Sequence, residues 1–182
     1  MDNLERTMKT DKIYEGKILS LKVETVELPN KKYSKRELIE HDPAVAILAV
    51  NNQGEIILVD QYRKAVDKVL CEVPAGLIEY GESPKEAALR ELEEETGFKA
   101  GKIEYVTEFY TSPGFCNEKI YIFFAKDLEK TEKNLDDDEF IESKTVAFDK
   151  AVEMVMRGEI MDAKTISAVL LYKEMVTGNA NR

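Results

Sequence analysis

The chain has 182 residues, 43% of them apolar and 34% charged, which is enough for one domain with a real core. Its net charge of −10 and pI of about 4.8 exclude nonspecific nucleic-acid binding, which needs clustered lysine and arginine, while a divalent metal can still bring a phosphate-bearing substrate to an acidic protein. No apolar run approaches the roughly 20 residues that span a bilayer, the start MDNLERTMKTDK lacks a secretory apolar stretch, and two isolated cysteines, Cys71 and Cys116, give no disulfide framework, so a cytoplasmic location with reduced thiols is expected.

Residues 17–28, KILSLKVETVEL, alternate as a strand. Leu19, Leu21 and Val23 share one face and Val26 and Leu28 take the other phase, which predicts a bulge in this strand. Pro29-Asn30 signals a turn, and SKRELIEH at 34–41 returns as a second strand. Residues 1–42 are therefore expected to form a small antiparallel sheet, and 43–182 the main domain. His41, the only histidine, stands beside Asp42-Pro43 and reads as a surface or loop residue. AVAILAV at 44–50 predicts a buried strand, with further strands at 55–62, 69–73, 103–110, 119–125 and 143–148. Ser83-Pro84-Lys85-Glu86 is a capping box with proline at the first helical position, opening a helix that ends at Gly97. Two more helices are predicted, at 150–157 and from Ala163 to about Val176. Strands and helices mix without regular βαβ alternation, so the fold class is α+β, a mixed sheet sandwiched by helices.

On a helical wheel Ala88, Leu89, Leu92 and Thr96 share the arc that packs on the sheet. Glu91, Glu94 and Glu95, at i, i+3 and i+4, share the adjoining arc. Like charges one turn apart repel, and hard, oxygen-seeking Mg²⁺ or Mn²⁺ is a natural compensation. The plain alternative is a solvated acidic face laced with Arg90 and Lys85. The surrounding spacing decides between them. Gly76, Glu82, Arg90, Glu91, Leu92, Glu94, Glu95, Gly97 and Phe98 fill all nine fixed positions of a 23-residue pattern. In that pattern glycine is followed by five residues, glutamate, seven residues, Arg-Glu-apolar, one residue, Glu-Glu, one residue and Gly-apolar. It is the Nudix box, and the chain resembles Nudix hydrolases, which use divalent metal to cleave nucleoside diphosphates linked to another moiety.

The resemblance implies that Glu91 and Glu95 are the main metal ligands, with Glu94 supporting and the backbone carbonyl of Ala75 completing the set. Glu82 and Arg90 read as an ion pair that locks the loop to the helix. Over nearly the whole chain, the stretches KREL (35–38), DQYRKAV (60–66), EVPAGLIEYGE (72–82), FYTSPGF (109–115) and DEFIES (138–143) resemble the ADP-ribose pyrophosphatase branch. The proline of Ser112-Pro113-Gly114 lies 16 residues past Gly97, as in that branch, although Ser-Pro-Gly is in itself only a tight turn.

The branch implies that Arg63 binds substrate phosphates or the terminal ribose, and that Arg36 reaches substrate from a partner subunit of a homodimer exchanging its N-terminal sheets. Either arginine is otherwise an exposed strand charge. Leu77 and Glu118 match substrate-contacting positions. The general base falls in the acidic run before Phe140, at Glu139 or Asp137, with Glu139 preferred for its longer side chain. Relatives often carry an aromatic ring early in the N-terminal sheet to stack adenine; here Lys17, Ile18 and Leu19 stand instead. The expected activity is Mg²⁺-dependent hydrolysis of ADP-ribose to AMP and ribose 5-phosphate. The alternatives are another nucleoside diphosphate sugar or dinucleotide pyrophosphatase, or a non-catalytic ADP-ribose sensor that regulates a partner.

Overall fold

The computed structural model describes residues 3–135 and 140–180. The chain divides into two compact units, Met1–Pro43 with Phe109–Lys119, and Ala44–Glu108 with Ile120–Arg182.

The first unit is built on an antiparallel sheet of β1 (Arg6–Glu15), β2 (Leu19–Glu27) and β3 (Tyr33–His41), in that order. Sequence patterning finds β2 and β3 and misses β1, whose residues are exposed almost throughout. With no buried face to impose alternation, β1 owes its form to backbone pairing with β2. The expected bulge is displaced. The β2–β3 register runs unbroken from Leu19↔His41 to Glu27↔Tyr33. The shifts fall instead in β1, between Thr7 and Lys9 and between Lys12 and Tyr14. Segment Phe109–Lys119 joins this unit through β3: Ile39 N donates to Phe115 O at 2.7 Å, and Asn117 N donates to Ile39 O at 3.2 Å.

The second unit contains β4 (Ala44–Ala49), β5 (Glu55–Arg63), β6 (Lys68–Glu72), β7 (Ala75–Leu77), α1 (Pro84–Thr96), most of β8 (Phe98–Tyr110) and β9 (Lys119–Lys130), β10 (Ile141–Ala147), α2 (Phe148–Met156) and α3 (Ala163–Ala180). One sheet has the order β7-β4-β9-β8 and the other β10-β5-β6. β4 runs parallel to β9 and antiparallel to β7, so it is central, and both its faces are covered. That is why AVAILAV reads as a continuous apolar run rather than an alternation. Val45, Ile47 and Ala49 of β4 form a core with Ile57, Phe123, Ala125 and the α1 residues Ala87, Ala88 and Leu92. α3 also packs against β4, and its Tyr172 meets Phe124 of β9 edge-on at 5.2 Å. Strand β7, three residues long, was too short to predict, and α3 runs through Gly178 to Ala180. No helix among the described residues is long and apolar enough to cross a membrane.

Helix α1 has the predicted ends. Ser83 Oγ accepts from Glu86 N, the Glu86 side chain accepts from Ser83 N, and Gly97 closes the helix with φ 69° and ψ 29°, the left-handed conformation that glycine adopts without a Cβ penalty. The buried stripe is rotated from the wheel's: Ala87, Glu91 and Glu95 are buried along with Ala88, Leu92 and Thr96, and Leu89 is only partly buried.

Candidate active site

Helix α1 places its carboxylates beside the loop that carries β7. Glu95 is 2% exposed and Glu91 9%, whereas Glu94 lies nearer the surface. Glu95 Oε2 accepts the Ala75 N–H at 3.1 Å, tying the end of the helix to the first residue of β7. At Gly76 the approach is closer still: a Cβ built there would collide with the Glu91 carboxylate. Glycine leaves room here for the Glu91 carboxylate, which would otherwise have to swing aside, and it does so without an unusual φ.

Arg90 is the hub. Its Nε and Nη2 grip Glu82 at 3.0 and 2.9 Å, Nη2 also donates to Leu77 O at 3.0 Å, and Nη1 bridges Glu91 at 2.7 Å and Glu94 at 3.1 Å. All five guanidinium hydrogens are engaged. The Glu82 hydrogen bonds, though opposed by partial burial, push the Arg90 pKa further above its ordinary value, and Arg90 in turn holds the Glu82 carboxyl below the usual carboxylate range. The expected Glu82–Arg90 lock is therefore present. The same guanidinium reaches on to Glu91 and Glu94, so Arg90 also laces the acidic face, as the plain alternative expects.

The donor set suits a hard divalent cation: buried carboxylate oxygens one helical turn apart, facing a backbone segment whose missing Cβ leaves room for close approach. Among the described residues, no three acidic, histidine or cysteine side chains gather closely enough to form a finished metal centre. Glu91 and Glu94 turn to Arg90 instead.

Arg63, at the end of β5, forks onto the buried Glu72: Nε to Oε1 at 2.8 Å and Nη2 to Oε2 at 2.7 Å. Its side chain remains 39% exposed, while that of Glu72 is 1% exposed. Burial works against the charged form of Glu72, but Arg63 and Lys164 outweigh it and hold the carboxyl below its ordinary value. Lys164 comes from α3, and sequence reading gave no sign of it or of Glu72 as partners of Arg63.

In the first unit, Arg36 pairs with Glu5 through Nε at 2.9 Å and donates to Ser34 Oγ at 2.9 Å. Ser112 O caps the turn by accepting from Phe115 N and Cys116 N, at 3.1 and 2.9 Å. Pro113 lines a cavity of about 410 Å³ with Leu38, Ile39, Tyr110, Phe115 and Asn117. Gly114 has open space around its Cβ position, so no steric demand fixes glycine there. Glu118 accepts from Thr111 Oγ1 at 2.6 Å and stands 3.7 Å from His41 Nδ1. Asp137 and Glu139 lie outside the described residues.

The NUDIX domain profile matches residues 40–168. The chain is 48% identical to the ADP-ribose pyrophosphatase of Bacillus subtilis, over 91% of this chain and 90% of that protein. It is 45% identical, over the same shares, to the methanol dehydrogenase activator of Bacillus methanolicus. A solved structure, described as an ADP compounds hydrolase, superposes with a TM-score of 0.87 at 22% identity, covering 96% of this chain and 95% of that one. With the helix, its glycine-edged loop and the arginine lock in place, these similarities establish that the chain belongs to the Nudix family.

Proposed function

We propose that this Nudix pyrophosphohydrolase cleaves the diphosphate of ADP-ribose, releasing AMP and ribose 5-phosphate. The observation that carries the reading is the complete box, folded as a capped helix with Glu91 and Glu95 buried against the Ala75-Gly76 loop. The similarity to the Bacillus subtilis ADP-ribose pyrophosphatase supports the substrate.

In this reading Glu91 and Glu95 hold the metal, Mg²⁺ or Mn²⁺, with Glu94 and the Ala75 carbonyl in support. A bound divalent cation offsets diphosphate charge and acidifies water. Arg63 donates from its exposed side to phosphate oxygens, a task suited to its forked donors. Glu139, or Asp137 in its place, takes the proton of the attacking water. A new P–O bond forms as the bond to the bridging oxygen breaks. Leu77 in the second unit, and Ser112, Pro113, Gly114 and Glu118 in the first, are substrate-contacting positions in this reading. The Tyr110 and Phe115 rings beside Pro113 supply flat surfaces that Lys17, Ile18 and Leu19 do not. The active form is a cytoplasmic homodimer that exchanges its N-terminal sheets and brings Arg36 to the partner's substrate; a monomeric mass by light scattering would refute it.

The decisive experiment is a substrate panel with ADP-ribose, GDP-mannose, NADH and diadenosine polyphosphates, run with Mg²⁺ and after chelation. ADP-ribose should rank among the best by kcat/KM, and Glu95→Gln should lose at least about 100-fold in turnover while its melting temperature holds. A poor rank for ADP-ribose overturns the substrate, and an unaffected variant overturns the metal site. A second reading, a regulator acting on a partner enzyme, is favoured by the similarity to the methanol dehydrogenase activator. Tight ADP-ribose binding without turnover in Mg²⁺ would select it.

A further inference from the structure

The Arg63–Glu72 pair does not stand alone. Lys164 Nζ donates to Glu72 Oε2, the same oxygen that receives Arg63 Nη2, across a sequence separation of 92 residues. The Lys164 side chain is 11% exposed and also pairs with Asp162 Oδ1 at 3.1 Å. Asp162 Oδ2 caps α3, accepting Thr165 N at 2.9 Å and Thr165 Oγ1 at 2.6 Å. Thr165 Oγ1 accepts the Val73 N–H at 2.8 Å, so the residue after Glu72 is pinned to the same helical turn. Glu72 therefore cannot drift: its backbone neighbour and its carboxylate are both fastened to the start of α3.

Arg63 is held by one edge only. Glu72 occupies Nε and Nη2, and Nη1 makes no hydrogen bond among the described residues. A bidentate grip fixes the plane of a guanidinium as well as its position. We infer that Glu72 and Lys164 are positioning residues for Arg63, a buried carboxylate and its second cation that orient the guanidinium so its remaining edge meets the diphosphate of the substrate. The inference rests on the reading of Arg63 as a phosphate ligand. Lys164 has the less obvious task. With Arg63 as its sole cation, Glu72 would compete with the diphosphate for the guanidinium. With Lys164 bound to the same oxygen, part of that demand is already met, and Arg63 gives its free donors to substrate at lower cost.

The test is steady-state kinetics on the intact protein with ADP-ribose, for Arg63→Met, Glu72→Gln, Lys164→Met, Lys164→Arg and the double variant Arg63→Met/Lys164→Met. Arg63→Met, Glu72→Gln and Lys164→Met should each raise KM about tenfold and leave kcat within about twofold, with Lys164→Arg close to the parent. In the Arg63→Met background, Lys164→Met should add nothing to KM, because there is no longer a guanidinium to orient. A merely structural role predicts additive losses tracking the melting temperature, and that pattern overturns the inference. If Arg63→Met alone leaves KM unchanged, the phosphate-ligand reading fails. If it raises KM while Lys164→Met and Glu72→Gln do not, only the positioning role fails. Should Lys164→Met not fold, the near-isosteric Glu72→Gln carries the same decision.

Discussion

Two arginines organise the second unit, in opposite ways. Arg90 spends all its donors on Glu82, Glu91, Glu94 and the Leu77 carbonyl. Arg63 commits one edge to Glu72 and keeps its side chain 39% exposed. A saturated guanidinium has nothing left for a ligand, so its contribution is to the fold. A half-held one is oriented and still has donors to give. The arginine inside the motif is thus the brace, and the one outside it is the candidate ligand.

Arg90→Met should break the contrast most severely. It leaves Glu82, Glu91 and Glu94 without their common cation, costing about 3 kcal/mol given its partial exposure, or roughly a 10 °C fall in melting temperature by calorimetry. Gly76→Ala tests the same cluster through function. The Glu91 side chain can swing aside, so the melting temperature should barely move, while turnover falls by about 100-fold as the carboxylate proposed to hold the metal is displaced. A stable, fully active Gly76→Ala protein would separate Glu91 from the chemistry. Arg63→Met should give the reverse signature to Arg90→Met: the tenfold KM change above with only a few degrees of melting temperature lost, since Lys164 still answers Glu72.

The smallest effect is on pH. Glu72 and Glu82 are both held below the ordinary 4.5, Glu72 against its own burial by Arg63 and Lys164, and Glu82 by Arg90. A carboxyl depressed in the fold contributes stability in full above its unfolded value, and that stability is lost as pH falls through the folded value. Urea melts should therefore be flat between roughly pH 6 and 8 and weaken below about pH 4.5. Glu72→Gln should reduce that acid slope; an unchanged slope would place the sensitive carboxyls elsewhere.

The Arg90 cluster was legible because it is local. Its side-chain partners lie one, four and eight residues away, and a fixed spacing on one helix and its leading loop encodes them. The capping box and the Gly97 stop are visible for the same reason. Glu72 stands in a stretch whose likeness could be read, yet its tie to Lys164 spans 92 residues and exists only once α3 returns to the sheet. Strand β1 was missed for a related cause: its form depends on β2, and no periodicity in RTMKTDKIYE announces it. Ala87 entered the core in place of Leu89 because it lies four and eight residues before Glu91 and Glu95, on the arc of α1 that is buried with them.

The make-up of the first unit bears on how this protein can be rebuilt. Phe109–Lys119, drawn from the middle of the chain, is stitched to β3 by the backbone of Ile39 and by His41 N donating to Asn117 Oδ1 at 2.8 Å. The N-terminal sheet is therefore not a portable module. A chimera that borrows residues 1–43 from a relative must borrow the Ser-Pro-Gly segment with them, and lineages that diverge in one should diverge in step in the other.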